Sequence, residues 1–218
     1  MQPTERPRVK ICCIASLAEA QIAIRHGAAA LGLVSRMPSG PGVISEEQIA
    51  EIASWVPPPI ASFLLTCEQD VDNIITQQKR CRTNTLQLVD SLTRGTHSDL
   101  RSALPGIAIV QVIHVVSPES VDEASAIASQ VDAILLDSGN PALPIKELGG
   151  TGRRHDWSLS RQIREQVNVP IFLAGGLNPG NARQAIEEVG PFGLDVCTGV
   201  RTDGRLDEGK LSALFENL

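Results

Sequence analysis

Eight short apolar and β-branched runs recur along the chain: VKICCIA (9–15), AALGLV (29–34), IASFLLT (60–66), TLQLVD (85–90), IAIVQVIHVV (107–116), AILLDS (133–138), PIFLAGG (170–176) and GLDVCTG (193–199). Their near-continuous apolar character is that of strands buried on both faces. Between them, apolar residues return at helical spacing, as at Ile49, Ile52, Ala53 and Val56, at Ala182, Ala185, Ile186 and Val189, and at Leu211, Leu214, Phe215 and Leu218. Each set is the buried stripe of an amphipathic helix. Ser45 with Gln48 three residues on predicts a capping box, and Ser117-Pro118 and Asn178-Pro179 predict a proline at the first helical position.

Strict alternation of strand and helix implies parallel pairing with helices outside the sheet, and eight such units predict closure into a single (β/α)8 TIM barrel spanning residues 1–218, with 1–8 as a short N-terminal extension. An open doubly wound sheet is the alternative, but its Gly-rich phosphate turn is missing after the first strand, which continues CCIASLAEA. Three connections are long: SRMPSGPGVI after strand two, SLTRGTHSD after strand four and GNPALPIKELGGTGRRHDW after strand six. Loops that follow strands lie on the C-terminal face of a barrel, where its chemistry is placed.

Composition narrows the function. The 218 residues are 42% hydrophobic and 20% charged with a net charge of −6, which fits a globular fold and argues against a nucleic-acid partner. No run is long enough for a membrane span, and MQPTERPRVK lacks a signal-peptide core, so no membrane partner and a cytoplasmic location are expected. Five cysteines without C-x-x-C spacing read as free thiols, and the four histidines have no metal-site spacing, so no metal is expected. If the first strand runs through RVKICCIAS, Cys12 and Cys13 face opposite sides, with Cys13 turned to the helix layer as packing.

Two Gly-rich turns, AGGLNPGN (174–181) and CTGVRTDG (197–204), follow strands seven and eight. Their bare backbone, at Gly175, Gly176, Thr198 and Gly199, predicts a phosphate clamp at the place where barrels usually hold one. Cys12 near the end of strand one and Asp137 at the end of strand six can form an acid/base pair. Taken singly, Cys12 also reads as a small buried hydrophobe and Asp137 as a loop-initiating cap. His114 and His155 fall near the mouth, while His26 and His97 are placed in a helix end and a loop.

VKIC on strand one, GGTGRRHDW after strand six, LAGGLNPGN at strand seven and DVCTG at strand eight, in that order over nearly the whole chain, resemble the phosphoribosylanthranilate isomerase family of tryptophan biosynthesis. The resemblance implies a cofactor-free Amadori rearrangement of a small phosphorylated sugar amine by a monomer or homodimer. It implies that Asp137 protonates the ring oxygen and that Cys12 removes the C2 proton. It implies phosphate contacts from the turns of Gly175, Gly176, Thr198 and Gly199 and from the sixth loop, with Arg36, Gly150, Gly152 and Arg153 as the expected substrate-binding residues. Lys10, which shares the parity of Cys12, needs a buried carboxylate partner, for which Asp195 is a candidate. The chain departs from the family at three places: Cys13 replaces a glycine, Gly42 an arginine that holds the anthranilate carboxylate, and Val89 a histidine, leaving Arg36 as the nearest cation. A paralogue acting on another phosphorylated aldose or aminoaldose, and a non-catalytic phosphate-ligand barrel, are the other functions these residues allow.

Overall fold

The computed structural model describes residues 7–218. Eight strands, β1 (Arg8–Ile11), β2 (Ala30–Val34), β3 (Ala61–Thr66), β4 (Thr85–Leu88), β5 (Ala108–His114), β6 (Ala133–Asp137), β7 (Ile171–Leu173) and β8 (Gly193–Val196), form the barrel. They alternate with the helices α1 (Leu17–Arg25), α2 (Glu46–Trp55), α3 (Val71–Cys81), α4 (His97–Ala103), α5 (Glu119–Ile127), α6 (Trp157–Gln166), α7 (Ala182–Val189) and α8 (Glu208–Glu216). All strands pair in parallel, in chain order, and β8 returns to β1, so the sheet closes. The expected barrel is the fold and the open sheet is excluded. Of the expected N-terminal extension, residues 1–6 lie outside the described residues, and Arg8 already belongs to β1, where it is in register with Gly193.

Strand alternation divides the core in two. On each strand the side chains of one parity, such as Ile11, Leu31, Leu33, Leu64, Ile134 and Leu173, pack outward against the helices, while those of the other, such as Ala30, Phe63, Val110, Leu135 and Phe172, fill the barrel. Its floor is aromatic: Phe63 and Phe172 meet edge to face at 5.9 Å, Phe172 and Phe192 at 5.5 Å. Above it, Lys10 is fully buried, 5.2 Å from the Phe63 ring, and its Nζ donates to Asp195 Oδ1 at 2.8 Å. The expected carboxylate partner is therefore present, its parity set by the register Lys10 to Asp195 across β1 and β8.

The strands stop short of the sequence expectation where function is placed. β1 ends at Ile11, β7 at Leu173 and β8 at Val196, because Cys13 (φ 62°), Gly175 (φ 84°) and Gly176 (φ 64°) turn left-handed and Cys197 leaves the extended region with ψ −90°. Among the caps, the Ser45–Gln48 box forms as expected. Pro118 is the N-cap residue itself, one position ahead of α5. Pro179 precedes α7 by a full turn: Gly180 N–H donates to Asn178 Oδ1 and Asn178 N–H to Asn181 Oδ1, a local turn that delays the helix to Ala182. His97 opens α4 rather than lying in a loop; Thr96 caps that helix, and His97 pairs with Gln111 on β5 at 3.1 Å.

A small hairpin, β9 (Arg201–Thr202) and β10 (Arg205–Leu206), inserts between β8 and α8. Its turn residues Asp203 (φ 49°) and Gly204 (φ 77°) are both left-handed. That is the requirement of a tight two-residue hairpin turn, which an Asp-Gly pair meets best.

Candidate active site

At the C-terminal mouth a single cavity is lined by Cys12, Asp137, the turns after β7 and β8, and the loops after β2 and β6. Cys12 directly follows β1; its N–H donates to Val196 O at 2.9 Å. The bare Gly32 of β2 makes room for it, since a Cβ there would lie 2.7 Å from Cys12 Sγ and 3.0 Å from Lys10 Nζ. The neighbouring Cys13 thiol, opposed by burial and helped by the Lys10 ammonium, holds the Cys12 thiol below its ordinary value. Asp137 ends β6 opposite His114. Burial raises its carboxyl above the ordinary range, against the pull of the Ser138 N–H. One cavity thus holds a thiol biased toward thiolate and a carboxyl biased toward its acid form, an arrangement suited to proton removal at one atom and proton donation at another.

Cys13 contradicts its expected place in the helix layer. Its left-handed backbone breaks the strand alternation and turns the thiol into the mouth, where Cys197 Sγ lies 2.7 Å away and Pro41 O accepts at 3.5 Å. A side chain in this conformation costs about 1–2 kcal/mol, and the surroundings hold it there. Arg201, on β9, donates through Nη2 to the carbonyls of Cys12 at 3.2 Å and Cys13 at 2.5 Å, while Glu19 on α1 grips the same guanidinium at 2.9 and 3.0 Å. Sequence reasoning missed Arg201 and Glu19. The one local signal was Asp203-Gly204, which marks the hairpin that carries the arginine inward.

At the other side of the mouth, Gly175, Gly176, Thr198 and Gly199 come together with loop six. The Gly175 and Gly176 amides donate no hydrogen bond among the described residues. Gly199 approaches β7's turn so closely that a Cβ would collide with the Leu177 carbonyl and lie 2.9 Å from Asn178 Cα. Gly152 of loop six packs near Thr198, its Cβ position 3.7 Å from Oγ1. Unpaired amides at a glycine turn are the donors an anion needs.

Loop six (138–156) is tied down over the cavity. Asn140 and Glu147 exchange backbone hydrogen bonds at 2.8 and 3.1 Å, Ser138 and Thr151 hydroxyls meet at 2.6 Å, and Lys146 pairs with Asp90. Ser39 Oγ donates to Lys146 O at 2.7 Å, linking loop six to the loop after β2. Gly150 and Gly152 line the cavity. Arg153 is exposed and paired with Glu147, and Arg154 stacks 3.5 Å above the Trp157 ring and pairs with Glu188 at 3.1 Å. His155 is held neutral by burial, at about 4, and bonds Ser160 Oγ at 2.7 Å. His114 bonds the Val89 carbonyl at 3.0 Å.

The end of the cavity beside the loop after β2 is mostly apolar: Val34, Met37, Leu65, Val89, Val112 and Leu148 line it together with Cys13, and Ser39 and the unpartnered Oε1 of Gln87 are its polar members. Among the described residues lining the cavity there is no lysine, arginine or histidine. Arg36 is exposed and outside that lining. Gly42, left-handed at φ 81°, lies against Cys13 so closely that a Cβ would overlap the Cys13 side chain. The two departures from the family pattern, at 13 and 42, therefore occupy one space. No group of three or more His, Cys, Asp or Glu among the described residues is placed to hold a metal, and no described helix is long and apolar enough to cross a membrane.

A closed parallel barrel with a thiol and a carboxyl at its mouth, beside glycine turns after β7 and β8, defines a phosphate-site TIM barrel equipped for acid–base chemistry on a small molecule. Residues 9–217 match the family model described as N-(5'phosphoribosyl)anthranilate (PRA) isomerase, and the chain belongs to that family. It is 34% identical to the N-(5'-phosphoribosyl)anthranilate isomerase of Thermosynechococcus vestitus, over 98% of this chain and 90% of the relative. Among solved structures, the phosphoribosyl anthranilate isomerase of Thermotoga maritima superposes with a TM-score of 0.80 at 29% identity, covering 97% of this chain and 98% of that one. A phosphoribosyl anthranilate isomerase in complex with reduced 1-(o-carboxyphenylamino)-1-deoxyribulose 5-phosphate gives 0.78 at 27% identity, with the same coverages.

Proposed function

We propose that the chain is a phosphoribosylanthranilate isomerase of tryptophan biosynthesis, rearranging a phosphoribosyl amine to the aminoketose. The observation that carries this reading is the meeting of the Cys12 thiol and the Asp137 carboxyl in one cavity, with the free amides of Gly175 and Gly176 beside them. The phosphate rests on the turns of Gly175, Gly176, Thr198 and Gly199, which hold the sugar with its ring oxygen toward Asp137. The Asp137 carboxyl gives its proton to that oxygen, the ring opens, and the amine nitrogen takes up the positive charge of a Schiff base. Cys12 thiolate then removes the C2 proton, leaving an enolamine that becomes the ketose. Lys10, paired with Asp195, keeps a positive charge below Cys12 and favours the thiolate. Gly150 and Gly152 cover the substrate from loop six, while Arg153, paired with Glu147, stays outside the cavity. A ligand of the same chemistry, an o-carboxyphenylamino deoxyribulose phosphate, occupies the related structure.

A second reading is a paralogous isomerase whose phosphorylated sugar amine has an uncharged second half. It is favoured by the apolar lining at that end of the cavity and by Cys13 filling the space from which a side chain at Gly42 would start. One assay separates the two readings: loss of anthranilate fluorescence with phosphoribosylanthranilate made in situ. Turnover at micromolar enzyme supports the first. Absence of turnover together with saturable binding of ribose 5-phosphate supports the second. The C12A variant, inactive but able to bind, guards against a contaminating isomerase.

A further inference from the structure

The mouth holds more thiol than the reaction uses. Cys12 is the proposed base, yet Cys13 and Cys197 also face the cavity, and their sulfurs are only 2.7 Å apart. Ile11 is in register with Val196 across β1 and β8, which sets Cys12 rather than Cys13 opposite Cys197; Cys13 reaches the Cys197 sulfur because its left-handed backbone leaves the strand and turns the thiol back into the mouth. Sulfurs already this close need to move less than ~1 Å to reach a bond length of ~2.05 Å. The two also differ in access: Cys13 is buried, whereas Cys197 is partly exposed. Arg201 and Glu19 fix the left-handed turn that aims Cys13 at Cys197 instead of the helix layer.

We propose that Cys13 and Cys197 are an oxidisable dithiol, closed reversibly by a low-molecular-weight disulfide such as oxidised glutathione. The reachable Cys197 thiolate attacks one sulfur of the reagent; the reagent's S–S bond breaks, one glutathione thiolate leaves, and a mixed disulfide forms on Cys197. Cys13 thiolate then attacks the Cys197 sulfur and expels the second glutathione. Two electrons pass from the cysteine pair to the reagent, and the two thiol protons end on two glutathione molecules. Hydrogen bonding with Cys12, then with Cys197, and burial hold the Cys13 thiol well above its ordinary value. The first step removes one of these restraints by turning Cys197 into a neutral disulfide. The finished bond ties the residue after Cys12 to the residue before Thr198, and it takes from Cys12 the thiol that helps hold it as thiolate.

The test uses the wild-type protein, incubated with oxidised glutathione, quenched by alkylation and mapped without reduction, with fragment-ion sequencing to tell Cys13 from Cys12. A Cys13–Cys197 cross-link that dithiothreitol reverses supports the pair. A Cys12–Cys13 link, glutathione retained on Cys197 beside alkylated Cys13, or thiols all left free would overturn it. Isomerase activity is the second readout and rests on the function proposed above. It should fall about tenfold or more on closure, one pKa unit of lost thiolate being worth tenfold, and return with reductant. The cross-link map stands whether or not that function is correct.

Discussion

At the β7–β8 end of the cavity the surface proposed to hold the phosphate is backbone, while the end beside the loop after β2 is lined by side chains. The first is built from Gly175 and Gly176, whose amides donate no hydrogen bond among the described residues and whose backbones are left-handed, and it is backed by Gly199, packed against the turn after β7 with no room for an added carbon. The second is a mostly apolar wall with no lysine, arginine or histidine, in which Cys13 packs against Gly42. An anion held by amides depends on the path of the chain, so that end stays recognisable as side chains diverge. An anion held by one guanidinium depends on one residue, and a single exchange removes it.

The largest effects should come from the groups between the two ends. Cys12→Ala and Asp137→Asn should each lower kcat by about 10²–10⁴-fold, the usual worth of a positioned acid or base, with thermal unfolding little changed. If either variant keeps full turnover, that group is not in the reaction. At the backbone end, Gly199→Ala should raise KM by roughly 10–100-fold, as ~1.5–3 kcal/mol of hydrogen bonding to a charged group is lost. Inorganic phosphate inhibition should weaken in parallel, and an unchanged inhibition constant would remove this turn from the phosphate site.

The side-chain end is tested by a double-mutant cycle. Gly42→Arg alone overpacks against Cys13 and should destabilise by about 1–3 kcal/mol. Adding Cys13→Gly empties that space and relieves the left-handed strain at 13, so the double variant should recover part of the lost stability, position 42 still holding a side chain in the left-handed region. It should also bind the anthranilate substrate about tenfold better, a charge-assisted contact being worth ~1.5 kcal/mol or more. Additive effects of the two changes would show that residues 13 and 42 do not share one space.

A smaller effect is expected in the pH profile. Because the Cys13 thiol helps hold Cys12 below the ordinary thiol value, activity needing Cys12 thiolate is present above that lowered value and lost as pH falls through it. Cys13→Ala should move this rising limb to higher pH. Because burial raises Asp137, activity needing its proton is lost as pH rises through the raised value, and Asp137→Asn should abolish that limb. Least of all, Arg36→Ala should change kcat/KM by no more than about twofold, as expected for a surface substitution within ±0.5 kcal/mol; a larger loss would place Arg36 on the substrate.

The sequence by itself determined the alternation of eight strands and eight helices, the inward parity of Lys10, the capping box at Ser45, and the glycine turns after β7 and β8. These are short-range properties: side-chain period, cap chemistry and the absence of a Cβ are all written within a few residues. It misjudged Cys13 because alternation assumes an extended backbone, and whether a non-glycine residue turns left-handed depends on what holds it there. The holding group is Arg201, far along the chain, gripped by Glu19 from α1. The delayed start of α7 was decided by the side chains of Asn178 and Asn181, which offer the backbone another partner than the helix. The contact between Cys13 and Cys197, the shared space of Cys13 and Gly42, and the exposure of Arg36 were decided only by closure of the barrel. Closure sets β8 beside β1 and folds the loop after β2 over both, joining residues whose relation no local pattern records.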